Sequence, residues 1–190
     1  MSDADDRGLL ERIAARDKIA FETFFRAHGS GVHRFVRDLV RDDGLAEELT
    51  SDVMVEVWRN AGKYGGRSRA RTWVFGIAHH KAIDALRKRR ATFVPLDDLL
   101  GVAAAAVESP EEAALRADDR RRLDAALASL SAEHRAVLEL TYVEGFSQKE
   151  IAEIVDVPVA TVKTRAFYAK QRLRDALATA GCRVNSEHPR

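Results

Sequence analysis

Cys182 is the one cysteine in 190 residues, so no disulfide can close within the chain and no cysteine-based zinc site can form. That suits a reducing compartment, and a lone thiol has no resolving partner for redox sensing. Glycine and proline are scarce, 11 and 4 residues, which argues against a turn-rich β-sandwich. No apolar run approaches the length needed to span a bilayer. The acidic start MSDADDRGLLERIAARD lacks the apolar core of a signal peptide. The expected location is therefore cytoplasmic, without membrane insertion. Net charge is almost absent as well, +1 from 31 Lys+Arg and 30 Asp+Glu. Binding to nucleic acid would have to come from clustered charge.

What the chain does have is apolar periodicity of the helical kind. Phe21, Phe24, Phe25, Val32, Phe35, Val36 and Leu39 recur at steps of three, four and seven, which predicts a helix over 19–40, with Gly29 and Gly31 as points of bending. Asp42-Asp43-Gly44 stops it and caps a second helix over 45–60, apolar at Leu45, Leu49, Val53 and Val57 and acidic at Glu47, Glu48, Asp52 and Glu56. A loop at 62–66 precedes a third helix over about 70–90. Residues 69–90 hold seven Lys or Arg against one acid, Asp84, with Trp73 and Phe75 interleaved. Cations that hold a backbone beside aromatics that stack on bases are what a single strand requires, although spacing alone leaves open which aromatic is core.

After Ala91 the composition changes: residues 91–118 carry six acids, one basic residue and an alanine cluster at 103–106. Such a stretch has little apolar area to bury and reads as a flexible linker. Ser109-Pro110-Glu111-Glu112 then marks a helix start. Leu123, Leu127 and Leu130 line one following helix, and Val137, Leu138 and Leu140 another.

The stretch FSQKEIAEIVDVPVATVKTRAFYAKQRLR (146–174) has the pattern of a helix-turn-helix. Ser147 and Glu150 form a capping box, and the short first helix turns at Asp156-Val157-Pro158. Small Ala152 permits close approach, and Ile151, Val155, Val157 and Val162 supply the contact between the helices. Asp156 stands where such turns often place glycine, and Asp tolerates the left-handed conformation better than most residues. The second helix carries five cations and no acid between Lys163 and Arg174. It offers Thr161, Lys163, Thr164, Arg165, Phe167, Tyr168 and Lys170 for phosphates and base edges in a major groove.

Two other readings compete. His80 and Asp84 share a helix face at metal-ligand spacing, but no third ligand is evident and Arg87 and Lys88 crowd the site with positive charge. No metal, cofactor or catalytic residue is expected. An ordinary dimeric helix-turn-helix regulator would share the C-terminal half, but its effector pocket would be apolar and poor in charge.

Three stretches in order, AEELTSDVMVEVW (46–58), RTWVFGIAHHKAIDALRKRR (71–90) and the long segment 130–174, closely resemble bacterial RNA polymerase sigma factors of the extracytoplasmic-function (ECF) group. The resemblance implies an all-α fold of two small helical domains joined by a flexible acidic, Ala-rich linker. The expected limits are 1–92 for a region 2-like domain, 93–110 for the linker, 111–180 for a region 4-like helix-turn-helix domain and 181–190 for a tail. It also implies roles. Glu47, Glu48, Asp52 and Glu56 would dock on core RNA polymerase. Lys63, Arg67, Arg69, Arg71, Trp73, His80, Asp84, Arg87 and Lys88 would recognise and open −10 promoter DNA. Thr161 to Lys170 would read the −35 element. An anti-sigma factor is the further partner that the family implies. The chain departs from the usual pattern at Ser51, where an amide is common, and at Tyr168, where a basic residue or His is common.

Overall fold

The computed structural model describes residues 3–92 and 123–179, and their regular structure is helical throughout. The N-terminal half comprises α1 (Asp3–Ala14), α2 (Lys18–Val40), α3 (Asp43–Asn60) and α4 (Ala70–Thr92), with a 3-10 turn at Ala61–Lys63. The C-terminal half comprises α5 (123–128), α6 (Ala132–Leu138), α7 (Gln148–Ile154) and α8 (Val159–Thr179), with a π-helical turn at Glu139–Val143. The linker, the helix start at Ser109–Glu112 and Cys182 lie outside the described residues.

Each boundary has a local cause. The Asp17 carboxylate accepts from the backbone N–H groups of Ile19 and Ala20 at 2.9 and 3.1 Å and so starts α2. Those backbone hydrogen bonds, first that of Ala20, together with the Arg12 guanidinium, hold its pKa below the ordinary value. Arg41, at φ 57°, ends α2 in the left-handed conformation, and Asp42 caps α3 by accepting from Leu45 N at 3.0 Å. Ser147 and Glu150 complete the capping box that their spacing predicts. Asp156 adopts the left-handed conformation with φ 50°.

Two elements differ from the sequence-based expectation. The acidic N-terminus forms α1, with Asp3, Asp5 and Asp6 at its positive end and Leu9, Leu10 and Ile13 buried. Gly29 and Gly31 lie inside an unbroken α2. A Cβ on Gly31 would sit 3.5 Å from the Phe75 ring and 3.6 Å from the Glu144 carboxylate, ordinary contact distances, so this position lies where the two halves of the chain meet.

One apolar core runs through both halves. Phe24, Phe35, Val36, Val53 and Val57 continue through Phe75 into Leu140, Phe146, Ile151, Ile154 and Val162. Phe75 is the joint: its ring centroid lies 5.5 Å from Phe35 and 5.1 Å from Phe146. Phe75 is therefore core, whereas Trp73 is half-buried with its ring 5.5 Å from Tyr64. A smaller cluster of Leu130, Leu138 and Ala169 closes the far side of the C-terminal half. Phe75→Ala should lower unfolding free energy by about 3–5 kcal/mol, read as a shifted urea midpoint, because it empties a site packed from both halves.

Candidate nucleic-acid and polymerase interfaces

Helix α3 buries Leu49, Val53, Met54 and Val57 against α2 and leaves Glu47, Glu48 and Asp52 exposed. Glu56 differs from these three: it is half-buried and paired with Lys81 of α4 at 2.9 Å. Exposed Val55 lies on the same helix, giving an acidic surface with an apolar edge.

The loop before α4 and about four turns of that helix, with Glu56 of α3, border an open cavity of about 570 Å³. Ser68, Thr72, Trp73, His80 and Asp84 contribute to its wall, so four of the residues singled out from sequence, Glu56, Trp73, His80 and Asp84, meet in one place. The Thr72 hydroxyl is buried without a hydrogen-bond partner. His80 donates through Nδ1 to the Gly76 carbonyl at 2.8 Å, which leaves Nε2 as an acceptor. Asp84 pairs with Arg87 at 2.6 Å, so the carboxylate that a metal site would need is bound to a cation. Lys63 and Arg67 are exposed on the loop side, and Lys88 is exposed further along α4.

In the helix-turn-helix, Ile151, Val155 and Val162 are fully packed and Val157 half-buried. Lys163, Thr164, Phe167, Tyr168 and Lys170 stand exposed along α8, while Thr161 and Arg165 are half-buried. Lys163, Phe167 and Lys170 follow the i, i+4, i+7 spacing of one helical stripe. The Phe167 and Tyr168 rings meet edge-on at 5.6 Å, and Lys170 Nζ lies 5.1 Å from the Tyr142 ring centroid. Cations flanking exposed aromatics on a helix that follows a capped short one suit a phosphate-lined groove.

Sequence reasoning missed the seam between the halves. Glu144 is buried there and accepts from Arg34 and Arg71, each at 2.5 Å. Arg71 also donates to the Glu144 carbonyl at 2.8 Å and stacks over the Phe146 ring at 4.3 Å. Arg69 pairs with Glu150 at 3.2 Å. Two of the cations assigned to −10 DNA thus face acids of the C-terminal half, and Glu153 of the same half lines the cavity. One turn beyond Arg34 on α2, Arg135 donates to the Asp38 and Leu39 carbonyls at the end of that helix and to those of Leu127 and Leu130. No residue pattern announces such pairs, because their partners lie 73 to 110 positions apart.

Two titratable groups are buried along this seam. Burial, then the charges of Asp38 and Glu144, pushes Glu139 up to about 7, against the pull of Arg135 and Arg34. Burial, then the neighbouring charges of His80 and Arg165, pushes His79 down to about 4, and neither ring nitrogen has a hydrogen-bond partner.

The helical core thus joins a helix-turn-helix to an open polar cavity walled by Trp73, His80 and Asp84. Residues 24–92 match the Sigma-70 region 2 family and residues 120–173 the Sigma-70 region 4 family. The ECF RNA polymerase sigma factor SigK of Mycobacterium sp. (strain KMS) is 31% identical over 174 residues, covering 89% of each chain. SigK of Mycobacterium bovis (strain BCG / Pasteur 1173P2) is 32% identical over 188 residues, covering 93% of this chain and 94% of that one. The structure of CnrH in complex with the cytosolic domain of CnrY superposes with a TM-score of 0.69 at 23% identity, over 92% of this chain and 98% of that chain. The sigma factor RpoE from Bartonella quintana, in complex with the anti-sigma factor NepR, gives 0.66 at 23% identity, over 83% and 96%. The chain belongs to the ECF sigma factors, the transcription initiation factors that bring core RNA polymerase to promoters.

The seam makes stability depend on pH in two opposing ways. As pH rises from 4.5 to about 7, the unfolded chain ionises Glu139 before the folded one does, and stability falls. As pH drops from 6.5 to about 4, the unfolded chain protonates His79 first, and stability falls again. Glu139→Gln should therefore raise the urea midpoint over the parent protein at about pH 8 and give little difference at about pH 4. An equal difference at both values would refute the assignment.

Proposed function

We propose that the roles of a sigma factor are divided among three surfaces of this chain. The α3 acids Glu47, Glu48 and Asp52, with Glu56 at the margin, dock on core RNA polymerase. The cavity bounded by Ser68, Trp73, His80 and Asp84 receives a base extruded from the −10 element, and Lys63, Arg67, Arg69, Arg71, Arg87 and Lys88 hold the strand around it. Extrusion costs a few kcal/mol per base and needs a receiving pocket. The exposed His80 side chain, held by its Nδ1 bond to the Gly76 carbonyl, supplies a polar contact within it. The exposed α8 stripe, with Thr161, Thr164, Arg165 and Tyr168, reads the −35 duplex. The corresponding units are 1–92, a linker at 93–110, a region 4-like unit at 111–180 and a tail at 181–190. The chain performs no catalysis of its own and uses no cofactor or metal.

The observation that carries this reading is the segregation of charge: exposed acids on α3, exposed cations and aromatics on α8, and a polar aromatic cavity between the helix-turn-helix and the melting loop. A promoter strand entering the cavity meets Glu153 and competes with Glu150 and Glu144 for Arg69 and Arg71. The C-terminal half therefore has to withdraw before −10 DNA binds. A partner that holds the halves together would keep the factor inactive, which is the role we assign to an anti-sigma factor here. Among the described residues no helix is long and apolar enough to cross a membrane.

Glu48→Arg reverses the charge at the centre of the α3 stripe. It should abolish co-elution of the purified chain with bacterial core RNA polymerase on size exclusion while leaving the fold intact; undiminished co-elution would overturn the docking surface. Lys163→Ala should weaken duplex promoter binding by the reconstituted holoenzyme and reduce the salt slope of that binding by about one counterion.

A further inference from the structure

Helix α1 lies outside the segments that match the sigma families, which begin at residue 24. It is nevertheless built firmly into the N-terminal half. Leu10 and Ile13 are completely buried, and the Asp6 carboxylate meets His28 Nε2 at 3.0 Å in a pair hidden from solvent. A Cβ on Gly62 would stand 3.7 Å from the Ala14 side chain, so the end of α1 fits closely against the turn after α3.

From that fixed base α1 reaches both ends of the loop before α4. Arg7 Nη2 donates to the Gly66 carbonyl at 2.9 Å. Gly66 has φ +64°, and a Cβ there would lie 2.6 Å from the same Arg7 nitrogen. The contact thus occupies the space that a side chain would take, and the backbone is in a conformation that favours glycine. Asp3 Oδ1 accepts from the N–H of Ala70, the first residue of α4, at 3.2 Å, satisfying an orphan donor at a helix start. Between these two anchors Tyr64 donates to the Ser68 carbonyl at 2.5 Å, and its ring lies 5.5 Å from Trp73. Ser68 and Trp73 both line the cavity.

We propose that Arg7 and Asp3 are positioning residues that set the shape of the loop 64–70, and through it the base selectivity of the cavity. The proposal rests on the reading of that cavity as the receiver of a −10 base. Arg7 reaches the Gly66 carbonyl and the Tyr64 side chain, neither of which lines the cavity. Its loss leaves core polymerase docking on α3 and duplex reading on α8 unchanged, and it blurs discrimination between bases.

The test uses holoenzyme reconstituted from the full chain and core polymerase. The probe is a single-stranded non-template oligonucleotide from a promoter selected by the parent holoenzyme out of a randomised duplex library. Its affinity is measured with the selected −10 sequence and with each −10 base substituted in turn. Arg7→Ala and Asp3→Ala should each cut the ratio of matched to substituted affinity by about 3- to 10-fold, the range expected for one hydrogen bond. Arg7→Lys, whose ammonium can still donate to the Gly66 carbonyl, should restore most of it. Core polymerase affinity should stay at the parent value in all three, and each variant should still unfold cooperatively. Trp73→Ala serves as the separate check on the cavity. If Trp73→Ala loses discrimination while Arg7→Ala and Asp3→Ala keep it, the positioning role is wrong and the cavity reading stands. If Trp73→Ala also discriminates like the parent, the cavity reading fails and the positioning role fails with it. Failure of Arg7→Lys to recover selectivity would count against the hydrogen bond as the cause.

Discussion

A single buried carboxylate decides how the two halves of this chain meet. Glu144 is removed from water and held by the guanidinium groups of Arg34 and Arg71, which come from two different helices of the N-terminal half. Buried charge is tolerated only when paired, so the contact is directional: rotating either half by a few ångström would leave the carboxylate without partners. The apolar joint around Phe75 supplies attraction without direction, and the Glu144 clamp supplies the register. Gly31 lies at this joint, where an added Cβ would make ordinary contact with the Phe75 ring and the Glu144 carboxylate.

The same clamp ties architecture to function. Arg71 belongs to the helix that forms the cavity wall, and Arg69 stands at its start; both are among the cations proposed to hold the −10 strand. In this arrangement they face Glu144 and Glu150 instead. The α8 stripe remains open to solvent in this arrangement. The two surfaces proposed for DNA are therefore unequally available: the α8 stripe is exposed, and the cavity is bordered by acids of the C-terminal half.

Local features were legible in the sequence. The α2 and α3 helices, the Ser147–Glu150 capping box and the turn at Asp156 follow from periodicity and capping chemistry, which act over a few residues. The exposed faces of α3 and α8 could be read from charge spacing along one helix. Phe75 could not be told from Trp73 by spacing, because both are aromatic neighbours on a helix that packs on two sides. Helix α1 was missed because its acidic residues masked the short apolar set Leu9, Leu10 and Ile13. The seam was invisible for a different reason: Glu144, Glu139, His79 and Arg135 acquire their meaning from partners brought close only by the tertiary fold.

Arg135 has a consequence for how the halves come apart. Its guanidinium bonds neutral carbonyls at the end of α2 and in the 127–130 turn, whereas Glu144 is bound by opposite charges near half-exposed arginines. Ionic strength weakens exposed ion pairs far more than buried ones, and hydrogen bonds to neutral carbonyls least of all. Added salt therefore acts on the exposed Arg69–Glu150 pair before it reaches the buried Glu144 carboxylate or the Arg135 bonds. The seam is held chiefly by contacts that electrolyte alone weakens little.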